Sequence, residues 1–296
     1  MRALIVGCGY VGLPLGAELV RQGHEVFGLR RSATAGTGLK NAGLHPLCAD
    51  ITRPAELQAL PRDFDWVVNC TASGGGGAEE YRQIYREGNR NLIHWLAGSP
   101  LKKFIYTSST SVYGQNDGSL VTESSPTEPE ADTAKVLVET EQLLRSAAQD
   151  DFPAVILRVA GIYGPARGHW FKAFLRGEAK IEGEGARFLN MIHRDDLIGV
   201  IIAALKQAEN GETLNAVDDE PVTQLKFFEW LAAELNQPLP PRIPADAETW
   251  RKRGVTSKRV SNARLHQELN YQFLHPDFRS GYRTEIARMA AENLSI

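Results

Sequence analysis

Three glycines near the start of the chain carry the clearest chemistry. Gly7, Gly9 and Gly12 stand as G-x-G-x-x-G, preceded by the apolar run 3–6 and followed by an amphipathic segment over 11–22. A bound dinucleotide phosphate needs this order of strand, loop and helix. Gly7 permits the tight turn, Gly9 lets the backbone approach a pyrophosphate, and Gly12 lets helix and strand pack closely. Free N–H groups and the dipole at the helix N-terminus then favour the anion, with Tyr10 and Val11 completing the loop. A glycine turn kept only for packing is the bland alternative.

The next apolar run, 25–29, ends in Arg30, Arg31 and Ser32, with no acid. A NAD-type site places Asp or Glu there to hold the ribose 2′-hydroxyl. Two guanidiniums and a hydroxyl suit a 2′-phosphate instead, through bidentate donors and charge neutralisation. NADP is therefore expected, with NAD second. A solvated arginine pair has the same composition.

These residues need a scaffold, and the rest of the first half supplies one. Apolar runs at 44–48, 66–70, 104–107 and 155–159 read as further strands, mostly without alternation, as in strands buried on both faces. Candidate helices lie between them at 55–60, 79–97 and 133–148; in the last, Leu137, Thr140, Leu144 and Ala147 share one face. Repeated βα units predict an α/β protein with a Rossmann-type, doubly wound parallel sheet. After residue 163 the pattern becomes irregular, then a helix from about 195 and a strand near 214–217 resume it. At roughly 150 residues per domain, 296 residues allow two. We expect a dinucleotide domain over 1–163 that resumes at 191–217, interleaved with a smaller substrate domain over 164–190 and 218–296.

The motifs together resemble the extended short-chain dehydrogenase/reductase superfamily, in its NAD-dependent epimerase/dehydratase group. They comprise the Gly7 loop, Asp50 and Ile51 after the third strand, and VVNCTA at 67–72. TSSTSVYG at 107–114, LRVAGIYGP at 157–165 and NMIHRDDL at 190–197 follow in the family's order. The resemblance places Asp50 and Ile51 beside an adenine. It puts Cys70, Thr71, Ala72 and Thr107 along the cofactor.

That family works with a Ser or Thr and with Tyr and Lys in Y-x-x-x-K. At i and i+4 the two share a helix face, where the ammonium lowers the phenol pKa for proton exchange with substrate. Ser109 matches the family serine, and Lys135, which can also hold the ribose, begins the matching helix. Four residues before it stands Ala131. The set lacks its proton carrier, as in an atypical subgroup that keeps the glycine loop but not the tyrosine. A second departure is Tyr85 where the family has Asn. Tyr113, four residues past Ser109, is a substitute proton donor to be weighed against a buried packing tyrosine.

For the substrate, Ser73 opens a loop of four glycines (74–77), and Tyr163, His169, Trp170, Arg187 and His193 are candidate lining residues. The basic stretch from Arg251 to Arg253 and on to Lys258 and Arg259 suits a diphosphate, or simply water. Lys+Arg 33 against Asp+Glu 36 leaves a charge of −3, which argues against a nucleic-acid binder. Three scattered cysteines form neither a disulfide framework nor a metal pair, and no run approaches the ~20 apolar residues of a membrane span. We expect a cytoplasmic protein without metal or membrane partner, with a homodimer as the candidate assembly. Two activities fit: an NADP-dependent oxidoreductase or epimerase acting on a sugar or nucleotide sugar, and a non-catalytic NADP-binding redox sensor.

Overall fold

Apolar runs without alternation belong where both faces of a strand are covered, and they build one parallel sheet here. The computed structural model describes residues 1–32, 34, 36–244 and 256–292. The first half contains β1 (Arg2–Val6), α1 (Gly12–Arg21), β2 (Glu25–Arg30), α2 (Gly36–Asn41), β3 (His45–Cys48), α3 (Pro54–Gln58), β4 (Trp66–Asn69), α4 (Ala78–Tyr81), α5 (Gly88–Leu96) and β5 (Lys103–Ser109). The chain continues through β6 (Leu120–Val121), α6 (Asp132–Gln149), β7 (Ala154–Val159), β8 (Gly161–Tyr163), α7 (His169–Leu175), β9 (Ile181–Glu182), β10 (Phe188–Leu189) and β11 (Met191–His193). It closes with α8 (Arg194–Gln207), β12 (Thr213–Ala216), β13 (Val222–Thr223), α9 (Gln224–Glu234), β14 (Arg242–Ile243), β15 (Arg259–Val260), α10 (Ala263–Leu269) and α11 (Phe278–Ala291).

The seven-stranded sheet runs β12-β7-β5-β4-β1-β2-β3, so the fold is α/β and Rossmann-type. Its order reverses beside β1, the crevice where ligands settle in such sheets. Register explains why distant motifs converge. Val6 pairs with Leu29 on one side and Asn69 on the other, which sets Gly7, Arg30 and Cys70 at one sheet edge. Asn69 pairs with Tyr106, and Ser109 with Val159, which carries that edge on past Thr107. Leu15 and Leu19 of α1 and Leu197 and Ile201 of α8 cover one face; Leu57, Leu92, Leu137 and Leu144 cover the other. A third apolar cluster is aromatic, built around Tyr163, Phe171, Phe227, Phe228, Phe278 and Tyr282.

The helix expected as one piece over 79–97 is instead α4 and α5 joined by a π-helical turn, Arg82–Glu87. The helix α2 had no periodic signal, being glycine-rich and short. Four two-stranded ribbons (β8/β11, β9/β14, β10/β13 and β6/β15) have strands of two or three residues, too short for any alternation to show. The basic stretch Arg251 to Arg253 lies outside the described residues. Among the described residues no helix is long and apolar enough to cross a membrane.

Candidate active site

A cavity of about 660 Å³ follows the C-terminal ends of the sheet strands from Arg31 to Ser109. Gly7, Gly9, Tyr10, Val11, Arg30, Ser32, Asp50, Ile51, Cys70, Thr71, Ala72, Thr107 and His169 line it, as do Tyr85 and Arg167. A second cavity of about 300 Å³ is bordered by Ser109, Tyr163, His169, Trp170, Arg187 and Lys258. Ser109, His169, Ala160, Gly161 and Ile162 border both, so the two form one cleft.

The glycine loop fits a dinucleotide pyrophosphate. Gly7 has φ +86°, and a Cβ there would lie 2.8 Å from the Thr71 nitrogen. A Cβ on Gly12 would strike the Gly7 carbonyl oxygen, whereas Gly9 has nothing within 4 Å of that position. Two glycines thus close the turn, and the third leaves open space for a ligand against bare backbone. Tyr10 lies between the guanidiniums of Arg167 and Arg194, 4.8 and 5.3 Å from its ring centroid. Burial nonetheless pushes its phenol up to about 12. Arg30 donates from Nη1 to the Cys8 carbonyl at 2.6 Å, which ties one arm of the guanidinium to the glycine loop. Arg31 and Ser32 are exposed at the same end.

Asp50 Oδ1 accepts from the Thr52 nitrogen and hydroxyl, a turn that fixes the carboxylate at the cavity wall. Burial raises the Cys70 thiol to about 12, which makes it a wall rather than a nucleophile. Tyr85 reaches the cavity from the π-helical turn, and its hydroxyl accepts from the Ser73 nitrogen at 3.1 Å. Such turns re-aim side chains at functional sites. Ser73 itself is held at the rim and lines neither cavity. Ser109 is buried; its Oγ accepts from the Ser111 nitrogen at 3.2 Å and caps the single 3₁₀ turn Thr110–Val112. Arg187 lays its guanidinium over Trp170, 5.1 Å from the ring centroid, with Glu182 3.8 Å away.

Three expected residues sit elsewhere. Tyr113 is fully buried, its hydroxyl donating to Asn215 Oδ1 at 2.7 Å and accepting from Arg158 Nη1 at 2.8 Å. It lines neither cavity, because its ring packs into the sheet core. Lys135 also lines neither; its Nζ donates to Asp132 Oδ1 at 2.9 Å, where an acidic first turn offers a nearer partner than the cleft. Ala131 is the N-cap of α6, just outside the helix. His193 lies beneath the site: its Nδ1 accepts from the Asp195 nitrogen, and its ring packs 5.3 Å from Tyr163.

Sequence reasoning did not single out Arg167, and it named Lys258 only within a basic stretch suited to a diphosphate. Nothing in the sequence run Lys258-Arg259-Val260 marks the lysine as the buried one; in the structure Lys258 and Val260 are buried and Arg259 is exposed.

The signature described as the NAD dependent epimerase/dehydratase family matches residues 3–217. YeeZ of Escherichia coli strain K12 is 28% identical over 287 residues, covering 93% of this chain and 97% of YeeZ. A solved Methylobacillus flagellatus protein, provisionally assigned as an NAD-dependent epimerase/dehydratase, is 33% identical with TM-score 0.78 and covers 98% of both chains. UDP-glucuronic acid 4-epimerase from Bacillus cereus, solved with UDP-glucuronic acid and NAD, has TM-score 0.82 at 21% identity, covering 99% of this chain and 100% of its own. The crevice beside β1 and the order of motifs along it thus have a common origin: the chain belongs to the NAD dependent epimerase/dehydratase family.

Proposed function

We propose that the protein is an NADP-dependent oxidoreductase or epimerase acting on a hydroxyl or carbonyl of a sugar, with a nucleotide sugar as the substrate class. One observation carries this reading. The trough behind the glycine loop opens, at Ser109, into a second cavity bordered by Arg187 and His169. A cofactor end and a substrate end therefore meet at one hydroxyl. A bound nicotinamide dinucleotide supplies reversible hydride exchange with a substrate carbon. Ser109 polarises the substrate oxygen, while the loop N–H groups of Tyr10 and Val11, residues that line the trough, hold the pyrophosphate. Arg30, Arg31 and Ser32 supply donors for a 2′-phosphate, and no acid stands at the end of β2 to claim a 2′-hydroxyl. The ligands of the Bacillus cereus epimerase support the substrate class. The missing tyrosine at position 131 speaks for the sensor alternative, and the second cavity at Ser109 speaks against it.

We further propose that residues 1–163 with 191–217 form the dinucleotide domain and 164–190 with 218–296 the substrate domain. The aromatic cluster around Phe227 and Tyr282 supports this division, since most of its members come from the second unit and only Tyr163 and Met191 from the first among its buried residues.

The test is calorimetry with NADPH and NADH, followed by a nicotinamide absorbance screen with UDP-glucose and UDP-glucuronic acid. The expected results are tighter NADPH binding and substrate-dependent absorbance change. Failure to bind either dinucleotide defeats the reading.

A further inference from the structure

The resemblance implies a phenol where Ala131 stands, and Tyr113 is locked in the core. Lys258 borders the second cavity together with Ser109. Only 3% of Lys258 is exposed. Its Nζ donates to the Tyr113 carbonyl and to Thr256 Oγ1, both at 2.8 Å. Both acceptors are neutral, and no carboxylate partners Lys258 among the described residues. An ammonium has three donors, so one remains for a guest in the cavity. The titratable or charged side chains facing it there are Tyr163, His169, Arg187 and Tyr282, none an anion at neutral pH. The side chain of the same Tyr113 is held by another cation, Arg158, at its hydroxyl.

A buried amine without a counter-charge favours its neutral form, and burial pulls Lys258 down to about 8. A group near neutrality can both give and take a proton during turnover. We propose that Lys258 is the proton carrier for the substrate in this cavity, a role that rests on the oxidoreductase reading above.

In the reducing direction the substrate carbonyl carbon gains a hydride, supplied by NADPH. The carbonyl π pair moves to oxygen, which takes a proton from the Lys258 ammonium. The resulting amine regains a proton from water. Oxidation runs in reverse: the amine takes the hydroxyl proton as hydride passes to NADP⁺.

The first arm of the test needs no substrate. The full chain is acetylated with acetic anhydride across neutral to alkaline pH, and the extent at each lysine is read by mass spectrometry. Lys258 is expected to half-label near pH 8, below exposed Lys102. An ordinary lysine profile at Lys258 overturns the proposal, with or without turnover.

The second arm compares Lys258→Arg and Lys258→Met with the unsubstituted protein in the NADPH absorbance assay, using UDP-glucose and UDP-glucuronic acid. Both variants are expected to lose roughly 100-fold or more in kcat, with NADPH affinity unchanged and the pH dependence near 8 abolished. Full kcat in Lys258→Arg overturns the proposal and makes Lys258 a charge anchor. Failure of the oxidoreductase reading shows differently, as no turnover by the unsubstituted protein, and ends the proton-carrier role with it.

Discussion

Arg158 Nη2 lies 2.7 Å from Glu141 Oε2, with both side chains almost wholly withdrawn from water. Glu141 also accepts from Ser108 Oγ at 2.7 Å, and Arg158 reaches Tyr113. The pair therefore ties β5, β7 and α6 together directly beneath Ser109. Removing one partner of a buried pair strands the other charge, at a cost of about 3–5 kcal/mol. Glu141→Ala should lose that much in urea unfolding; a loss under about 1 kcal/mol would mean the pair is solvated.

Tyr113→Phe separates structure from chemistry. The substitution removes one acceptor of a buried guanidinium and one donor to Asn215, costing about 1–3 kcal/mol. The kcat per folded molecule should not change. A large fall in kcat with unchanged stability would return Tyr113 to the proton path.

Arg30→Ala and Arg31→Ala address the 2′-phosphate. Each should weaken NADPH binding about tenfold, equivalent to roughly 1.4 kcal/mol, and leave NADH binding little changed. Equal loss for both dinucleotides in calorimetry would show that the arginines do not read the phosphate.

Gly12→Ala sets a methyl group against the Gly7 carbonyl oxygen, a backbone atom that cannot swing aside. Dinucleotide affinity should fall at least tenfold, and thermal stability should drop with it. Gly9→Ala meets no protein atom and should fold normally while still impairing binding. Comparing the two by thermal shift, with and without NADPH, distinguishes packing from ligand approach.

Asp218 gives a pH prediction. It is 1% exposed, and burial raises its carboxyl well above the usual range, with Asp219 and Asp277 nearby adding to the effect. The folded state thus keeps a proton that the unfolded chain releases above its ordinary value near 3.8. Stability should fall as pH rises above that value, at up to about 1.36 kcal/mol per unit, until the folded group ionises. Asp218→Asn should therefore raise Tm at neutral pH and change it little in acid. An equal shift at both pH values would rule out this titration.

Much of the nucleotide side could be read from the sequence because its signals are local. The glycine spacing, the buried runs and the absent acid after β2 each lie within a few residues, and strand register brings them together. The substrate side depends on contacts far apart in sequence. Tyr113 resembled a proton donor until Arg158 and Asn215, 45 and 102 residues away, claimed its hydroxyl. Lys135 looked like a ribose ligand because α6 begins where the resemblance puts it, but Asp132 at its first turn takes the amine. Lys258 was hidden in a basic run, since its burial depends on β15 docking on β6, a ribbon of two residues per strand. The segment 79–97 kept helical periodicity across the π-helical turn that brings Tyr85 to the cleft.

The place of β12 in the sheet also bears on how the chain matures at the ribosome. β12 (Thr213–Ala216) is the outer neighbour of β7, pairing Leu214 with Leu157 and Ala216 with Val159. Until residue 216 has emerged, β7 is an uncovered apolar edge, open to any other strand. A nascent chain or fragment stopped at residue 163 would hold every glycine of the loop and still be prone to edge-to-edge aggregation.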